Sequence, residues 1–193
     1  MVLSQKKEYQ STAFQNAAWT DKDLKRSIFS HCTFEKCDLT RSDLTSSKFI
    51  ECEMRNCLLS LVKIDGCRLQ GVDFHHCKCV GVNFGKCDSL FLFLKFTHCL
   101  IDTCNFSDLD LNGASFVHCV IRDTHFNNTN LTGVDFAESD LKGSTFHNSN
   151  LNKANFVGAF QYSINPLTNQ LKKTKFSKPE VFSLLDHLDI QIE

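Results

Sequence analysis

Large apolar residues recur along this chain every five positions. From Phe14 the steps land on Trp19, Leu24, Phe29, Phe34, Leu39, Leu44, Phe49, Met54, Leu59, Ile64, Leu69, Phe74, Cys79 and Phe84. A second series runs from Phe91 through Phe96, Ile101, Phe106, Leu111, Phe116, Ile121, Phe126, Leu131, Phe136, Leu141, Phe146, Leu151 and Phe156. Cys79 alone breaks the large apolar rule. Two residues before each centre the side chain is Ala, Cys, Ser, Thr or Val, except at Lys22, Leu94 and Leu109. Two residues after a centre lie Gly66, Gly71, Gly81, Gly113, Gly133, Gly143 and Gly158. Asp or Asn often stands just before it, as at Asp38, Asp73, Asn83, Asp135 and Asn155.

A period of five matches neither a helix nor a simple strand. It calls for a short extended segment followed by a turn. The centre and the residue two before it point inward, as alternation along a strand requires. Glycine two places on suits a turn because it reaches positive φ without steric cost. Four such segments close a square coil of 20 residues, so positions 20 apart stack. Phe96, Phe116, Phe136 and Phe156 then form one ladder, and Phe106, Phe126 and Phe146 form another on the opposite wall. The change of frame between Phe84 and Phe91, near 85–91, reads as a bulge two residues longer than the repeat, just before the apolar run Leu90–Leu94.

These residues resemble the pentapeptide repeat family. Its unit is a small residue, Asp or Asn, Leu or Phe, then Ser, Thr or Arg, then any residue. Ala154-Asn155-Phe156-Val157-Gly158 and Val134-Asp135-Phe136-Ala137-Glu138 are close matches. The resemblance implies an all-β solenoid, a right-handed quadrilateral β-helix of seven to eight coils over 12–160, roughly 35 Å long at about 4.8 Å per coil.

The ends read differently. Residues 1–11 form a polar arm. Over 161–193 the period stops, and Lys172, Lys173 and Lys175 make a short basic patch. Ser177, Pro179 and Glu180 read as a capping box opening an α-helix at about 178–188. Val181, Leu184, Leu185 and Leu188 form its apolar stripe, with Phe182 off the stripe and free for a partner. The finish, Asp189–Glu193, alternates like a strand. Such a segment caps the last coil. Resemblance to the quinolone-resistance members of the family (the Qnr, MfpA, AlbG and McbG type) further implies tail-to-tail homodimerisation through it.

The chain of 193 residues carries 11 Cys, 18 Phe and a formal charge of −1. Near-neutrality excludes a basic nucleic-acid coat or a polybasic membrane binder. No run approaches the roughly 18 apolar residues of a membrane span, and the first residues lack an apolar signal core. A cytoplasmic protein with reduced thiols is expected. All the cysteines fall on inward positions, so they act as small hydrophobes. His75-His76-Cys77-Lys78-Cys79 looks metal-like, but its cysteines point inward and its histidines outward. No cofactor, metal or catalytic grouping is expected, and the filled interior argues against an enzyme.

The surface is asymmetric. Residues 11–96 hold twelve basic and ten acidic residues, whereas 97–160 hold three basic and seven acidic ones. The seven, Asp102, Asp108, Asp110, Asp123, Asp135, Glu138 and Asp140, all occupy outward positions. The resemblance implies that such acids mimic DNA and occupy the DNA-binding saddle of DNA gyrase or a related type II topoisomerase. A scaffold or immunity factor with another protein partner is the alternative.

Overall fold

The computed structural model describes residues 8–188 and residue 190. It is a parallel β-solenoid of about eight turns, matching the expected quadrilateral β-helix. Strands of two to four residues stack in parallel, each on its counterpart in the neighbouring coil. Glu8–Gln10, Ile28–Ser30, Lys48–Ile50 and Arg68–Gln70 build one wall. A second wall has six strands, including Val72–His75, Leu94–Thr97 and Ser115–Val117. A third holds Lys78–Val80, Leu100–Asp102 and Val120–Arg122. Backbone bonds run between coils, with the Asn16 N–H donating to the Glu35 carbonyl at 2.9 Å and the Thr33 N–H to the Thr12 carbonyl at 3.1 Å.

The corners follow the five-residue step on either side of the slip. Every fifth residue from Ser11 to Gly81, and again from His98 to Gly158, has a φ in the left-handed region. Only seven of these corners are glycine. Many of the rest are Asn, Asp or His, the residues that tolerate this conformation best.

The interior is a lattice of aromatic rings. Phe96, Phe116, Phe136 and Phe156 stack at 5.1–5.2 Å between centroids. Phe106, Phe126 and Phe146 stack at 5.2 Å on the opposite wall. The two ladders meet edge to face in the middle, at 5.5–6.1 Å and near-perpendicular. This is the geometry that ring quadrupoles favour. The expected ladders are therefore present, and each ring also locks into its neighbours across the coil.

The structure corrects several expectations. Phe91 is not a core centre but 65% exposed. Arg68 still bridges Asp88 at a spacing of 20, whereas Leu94 pairs with Val72 at 22. The two extra residues therefore lie between Asp88 and Leu94. Leu94 is fully buried and Leu92 packs against the core. The repeat also overruns its expected bounds. Glu8–Gln10 is already a strand of the first wall, and Lys175–Phe176 pairs with Asn155–Phe156.

The C-terminal element, Glu180–His187, is a 3-10 helix rather than an α-helix, and Pro179 caps it without a side-chain bond. Ser177 and Glu180 serve the last coil instead. Ser177 Oγ accepts the Gly158 N–H at 2.9 Å, and Glu180 Oε1 accepts the Gln161 N–H at 2.6 Å. Those donors would otherwise face a coil that does not exist, and an unpaired edge is costly. Val181, Leu184, Leu185 and Leu188 are half-buried, with Leu184 against the core. Phe182 is 54% exposed. The strand expected at Asp189–Glu193 lies outside the described residues, apart from Ile190.

All 11 cysteines are free and buried. Through the slip they form one column of five, Cys37, Cys57, Cys77, Cys99 and Cys119, with the Cys77 N–H bonded to Cys99 Sγ at 3.3 Å and the Cys99 N–H to Cys119 Sγ at 3.4 Å. Burial pushes Cys52 and Cys104 up to about 11 and Cys87 up to about 12.

Two outcomes are expected. Phe116→Ala removes a fully buried ring touching both ladders and costs about 3–5 kcal/mol, measured by chemical denaturation. A thiol-exchange chromogen at pH 8 reacts slowly with the native protein and reaches all eleven thiols in denaturant, because the thiolate is the reacting form.

Candidate partner-binding surface

Outward residues flank each centre and stack into columns at the coil spacing of about 4.8 Å. What sits one coil away therefore decides whether a surface charge is cancelled. In the N-terminal half the neighbour is often a cation. Arg41 holds Asp21 through two bonds of 2.7 Å, and this pairing keeps the Asp21 carboxyl below its ordinary value. Arg68 holds Asp88 at 2.6–2.9 Å. Lys25 reaches Asp43 at 3.2 Å, Lys86 reaches Asp65 at 3.3 Å, and Lys95 reaches Asp73 at 3.9 Å.

In the C-terminal half the neighbour of Asp108, Asp110 and Asp135 is asparagine, while that of Asp102 is Arg122, which bonds Asp140 instead. Asn128 donates to Asp108 at 3.1 Å, Asn130 to Asp110 at 2.8 Å, and Asn155 to Asp135 at 2.9 Å. An amide satisfies carboxylate lone pairs without neutralising them. These three acids are thus held in place with no cation bonded to them. Asp102, Asp123 and Glu138 make no side-chain bond among the described residues. Asp123 and Glu138 lie over Gly143 and Gly158, where an added Cβ would strike their carboxylates.

Asp140 behaves differently from the other six. It is only 7% exposed, pairs with Arg122 at 3.0 Å and accepts the Lys142 N–H at 3.2 Å. It braces the wall rather than presenting charge. The remaining six carboxylates are spread around the rod. Asp110 flanks the Leu111 wall, Asp135 the Phe136 wall and Asp102 the Ile101 wall, while Asp108, Asp123 and Glu138 occupy corners. They form a band, not a patch. Beyond it the last coils are basic: from 139 to 176 Asp140 is the one acid, against Lys142, Lys153, Lys172, Lys173 and Lys175. Two acidic halves would therefore not touch directly at the C-terminal end. The signal for the amide ladder in the sequence is Asp and Asn spaced 20 residues apart, at 108/128, 110/130 and 135/155.

Other surface features are few. Leu90, Phe91 and Phe93 make an exposed apolar knob at the slip, with Lys95 Nζ 5.5 Å from the Phe93 ring centre. A hollow of about 320 Å³ is lined by Thr132, Asn150, Asn152, Lys153, Lys172 and Lys173. A trough of about 370 Å³ includes Ser163 and His187, whose Oγ and Nε2 are 3.1 Å apart. No third side chain bonds the His187 ring among the described residues, and the contact docks the C-terminal turn onto the Ser163–Ile164 strand. No described helix is long and apolar enough to cross a membrane.

Comparison with known proteins follows the same lines. The chain matches the family descriptions "Pentapeptide repeats (8 copies)" over 10–45, 23–60 and 37–77 and "Pentapeptide repeat region" over 82–156. No curated protein matches it in sequence. Among solved structures it is similar to a trypsin-treated form of QnrB1, described as a plasmid-mediated fluoroquinolone resistance protein. The identity is 14%, the TM-score 0.64, and 96% of this chain and 98% of that one are covered. HetL, a pentapeptide repeat protein involved in heterocyst differentiation regulation in Nostoc sp. strain PCC 7120, aligns at 14% identity and TM-score 0.45, covering 88% and 86% of the two chains.

Proposed function

The chain belongs to the pentapeptide repeat family, and on that premise we propose that it is a non-enzymatic DNA mimic that binds DNA gyrase or a related type II topoisomerase. In this reading it works in the cytoplasm as a homodimer and modulates the enzyme or shields it from quinolone-type inhibitors. The observation that carries the proposal is the uncancelled acid band. Asp102 to Glu138 spans 36 residues, about 9 Å of rod at 4.8 Å per coil. Six free carboxylates over that length approach duplex DNA, which carries one charge per about 1.7 Å of axis. The one cation inside the band, Arg122, is spent on Asp140. Docking would follow from charge complementarity with a basic saddle, which speeds encounter and fixes register.

The dimer would form at the C-terminal end. Phe160, Leu167, Phe182 and Ile190 are exposed in that part of the chain, and exposed large apolar side chains favour burial against a partner. Light scattering is expected to give twice the chain mass, and Phe182→Glu to shift it to one. A monomeric wild-type protein would remove the dimer.

The mimicry is tested without touching a carboxylate. Asn128→Lys, Asn130→Lys and Asn155→Lys together convert the amide ladder into the ion-paired kind found in the N-terminal half. The fold is expected to survive, at a cost of about 1 kcal/mol for each turn bond lost, since Asn130 and Asn155 also accept the Thr132 and Val157 N–H groups. Binding to gyrase, and any effect on supercoiling with or without a quinolone, is expected to weaken at least tenfold. Wild-type protein that neither binds gyrase in a salt-sensitive way nor alters supercoiling would sink the reading.

A further inference from the structure

The sequence stretch His75-His76-Cys77-Lys78-Cys79 is no metal site by itself. Cys77 and Cys79 are buried in the core, while His76 is exposed on a corner. The structure gives His76 other neighbours. The slip places His98 on the next coil, 22 residues on, and His118 follows at 20. Their rings stack in a column at 5.0 and 4.9 Å between centroids, with planes 4° and 6° apart. All three residues are exposed, and no hydrogen bond or ion pair engages any of the rings among the described residues. Each sits at positive φ, at 51°, 54° and 54°, so the three backbones present their side chains identically.

From this juxtaposition we propose that the His76–His98–His118 column is a surface site for one divalent transition-metal ion of the nickel, copper or zinc class. Neutral imidazole is the ligand these borderline ions favour. A metal–nitrogen bond of about 2.0–2.1 Å lets one ion join two nitrogens up to about 4.2 Å apart. As placed the rings are parallel, and no described group of three converges on an ion. Two neighbours need only tilt toward each other by rotating about side-chain bonds, which exposed rings with no competing partner do freely. His98 belongs to both possible pairs and is the indispensable member. Binding at one pair uses the shared ring, so the column takes a single ion. Glu138, next in the column, turns its carboxylate the other way, over Gly158, so the two imidazoles are the protein ligands. Water fills the remaining positions, leaving the ion open to a further ligand.

The test is titration of the folded protein with nickel(II), with cobalt(II) as the spectroscopic probe. One ion per chain is expected, without the sulfur-to-cobalt charge-transfer band that thiolates give. His98→Gln is expected to weaken binding more than tenfold. His76→Gln or His118→Gln each leaves one pair and costs about twofold to threefold. Because the rings are exposed, the variants should keep the wild-type circular dichroism, which separates ligand loss from unfolding. Affinity unchanged in His98→Gln, or a strong thiolate band in the folded wild type, would overturn the proposal. The outcome is independent of whether the chain binds gyrase.

Discussion

The rest of this structure depends on the corner. A square coil closes only if the chain turns by about a right angle every five residues, and it does so with a residue in the left-handed region. For an ordinary L-residue that conformation costs roughly 1–2 kcal/mol. The cost recurs at dozens of positions and is tolerated because each turn delivers two inward side chains to a closed core and aligns the backbone with the next coil. The corner also selects composition. Asn, Asp and His bear the left-handed region best, so they accumulate there. Stacking then multiplies any such choice into a column. The histidine column and the corner acids Asp108 and Asp123 are consequences of that one backbone requirement, whatever use they are put to.

Most of the inward architecture was legible because the period is short and the core positions are chemically uniform. The Phe96 and Phe106 ladders follow from counting in fives. The slip was harder to place for a physical reason. Leu90-Phe91-Leu92-Phe93-Leu94 offers an apolar residue to every frame, so composition cannot choose between them. Only the pairing of Leu94 with Val72 decides, and it leaves Phe91 outside. Everything that stacks across the slip was hidden with it, including the adjacency of His76 to His98 and of Cys77 to Cys99. At the other end Ser177 and Glu180 form a valid local cap pattern. The exposed N–H groups of the final coil compete for the same oxygens and win them, since a helix this short leaves its own donors near solvent.

The outward columns obey weaker rules. A carboxylate facing the next coil is satisfied equally well by Arg, Lys or Asn, so the fold does not distinguish Asp21 beside Arg41 from Asp110 beside Asn130. Surface charge is therefore free to vary along the rod without cost to the core. That freedom is what makes the difference between the two halves informative. Cation partners dominate before the slip, and amide partners dominate after it. Asp140 shows the limit of counting charges: its position is outward by the repeat, yet Arg122 and the Lys142 backbone absorb it.

From Glu138 to Phe176 the rod continues for about two coils, near 9 Å, and that length carries five lysines against Asp140 alone. Two copies meeting at their C-terminal ends would thus show two acidic bands flanking a basic middle. A single continuous negative rod is excluded by this arrangement. At physiological ionic strength the screening length is about 8 Å, so two bands about 18 Å apart across such a dimer would act nearly independently of each other, while Lys142, one coil from Asp123, tempers each band locally. A partner would then have to offer two basic patches separated by the basic middle rather than one between them. Twofold symmetry in the partner satisfies that demand at no added cost, because an isologous dimer places its bands by the same axis. A dimer would therefore contribute spacing, not summed charge.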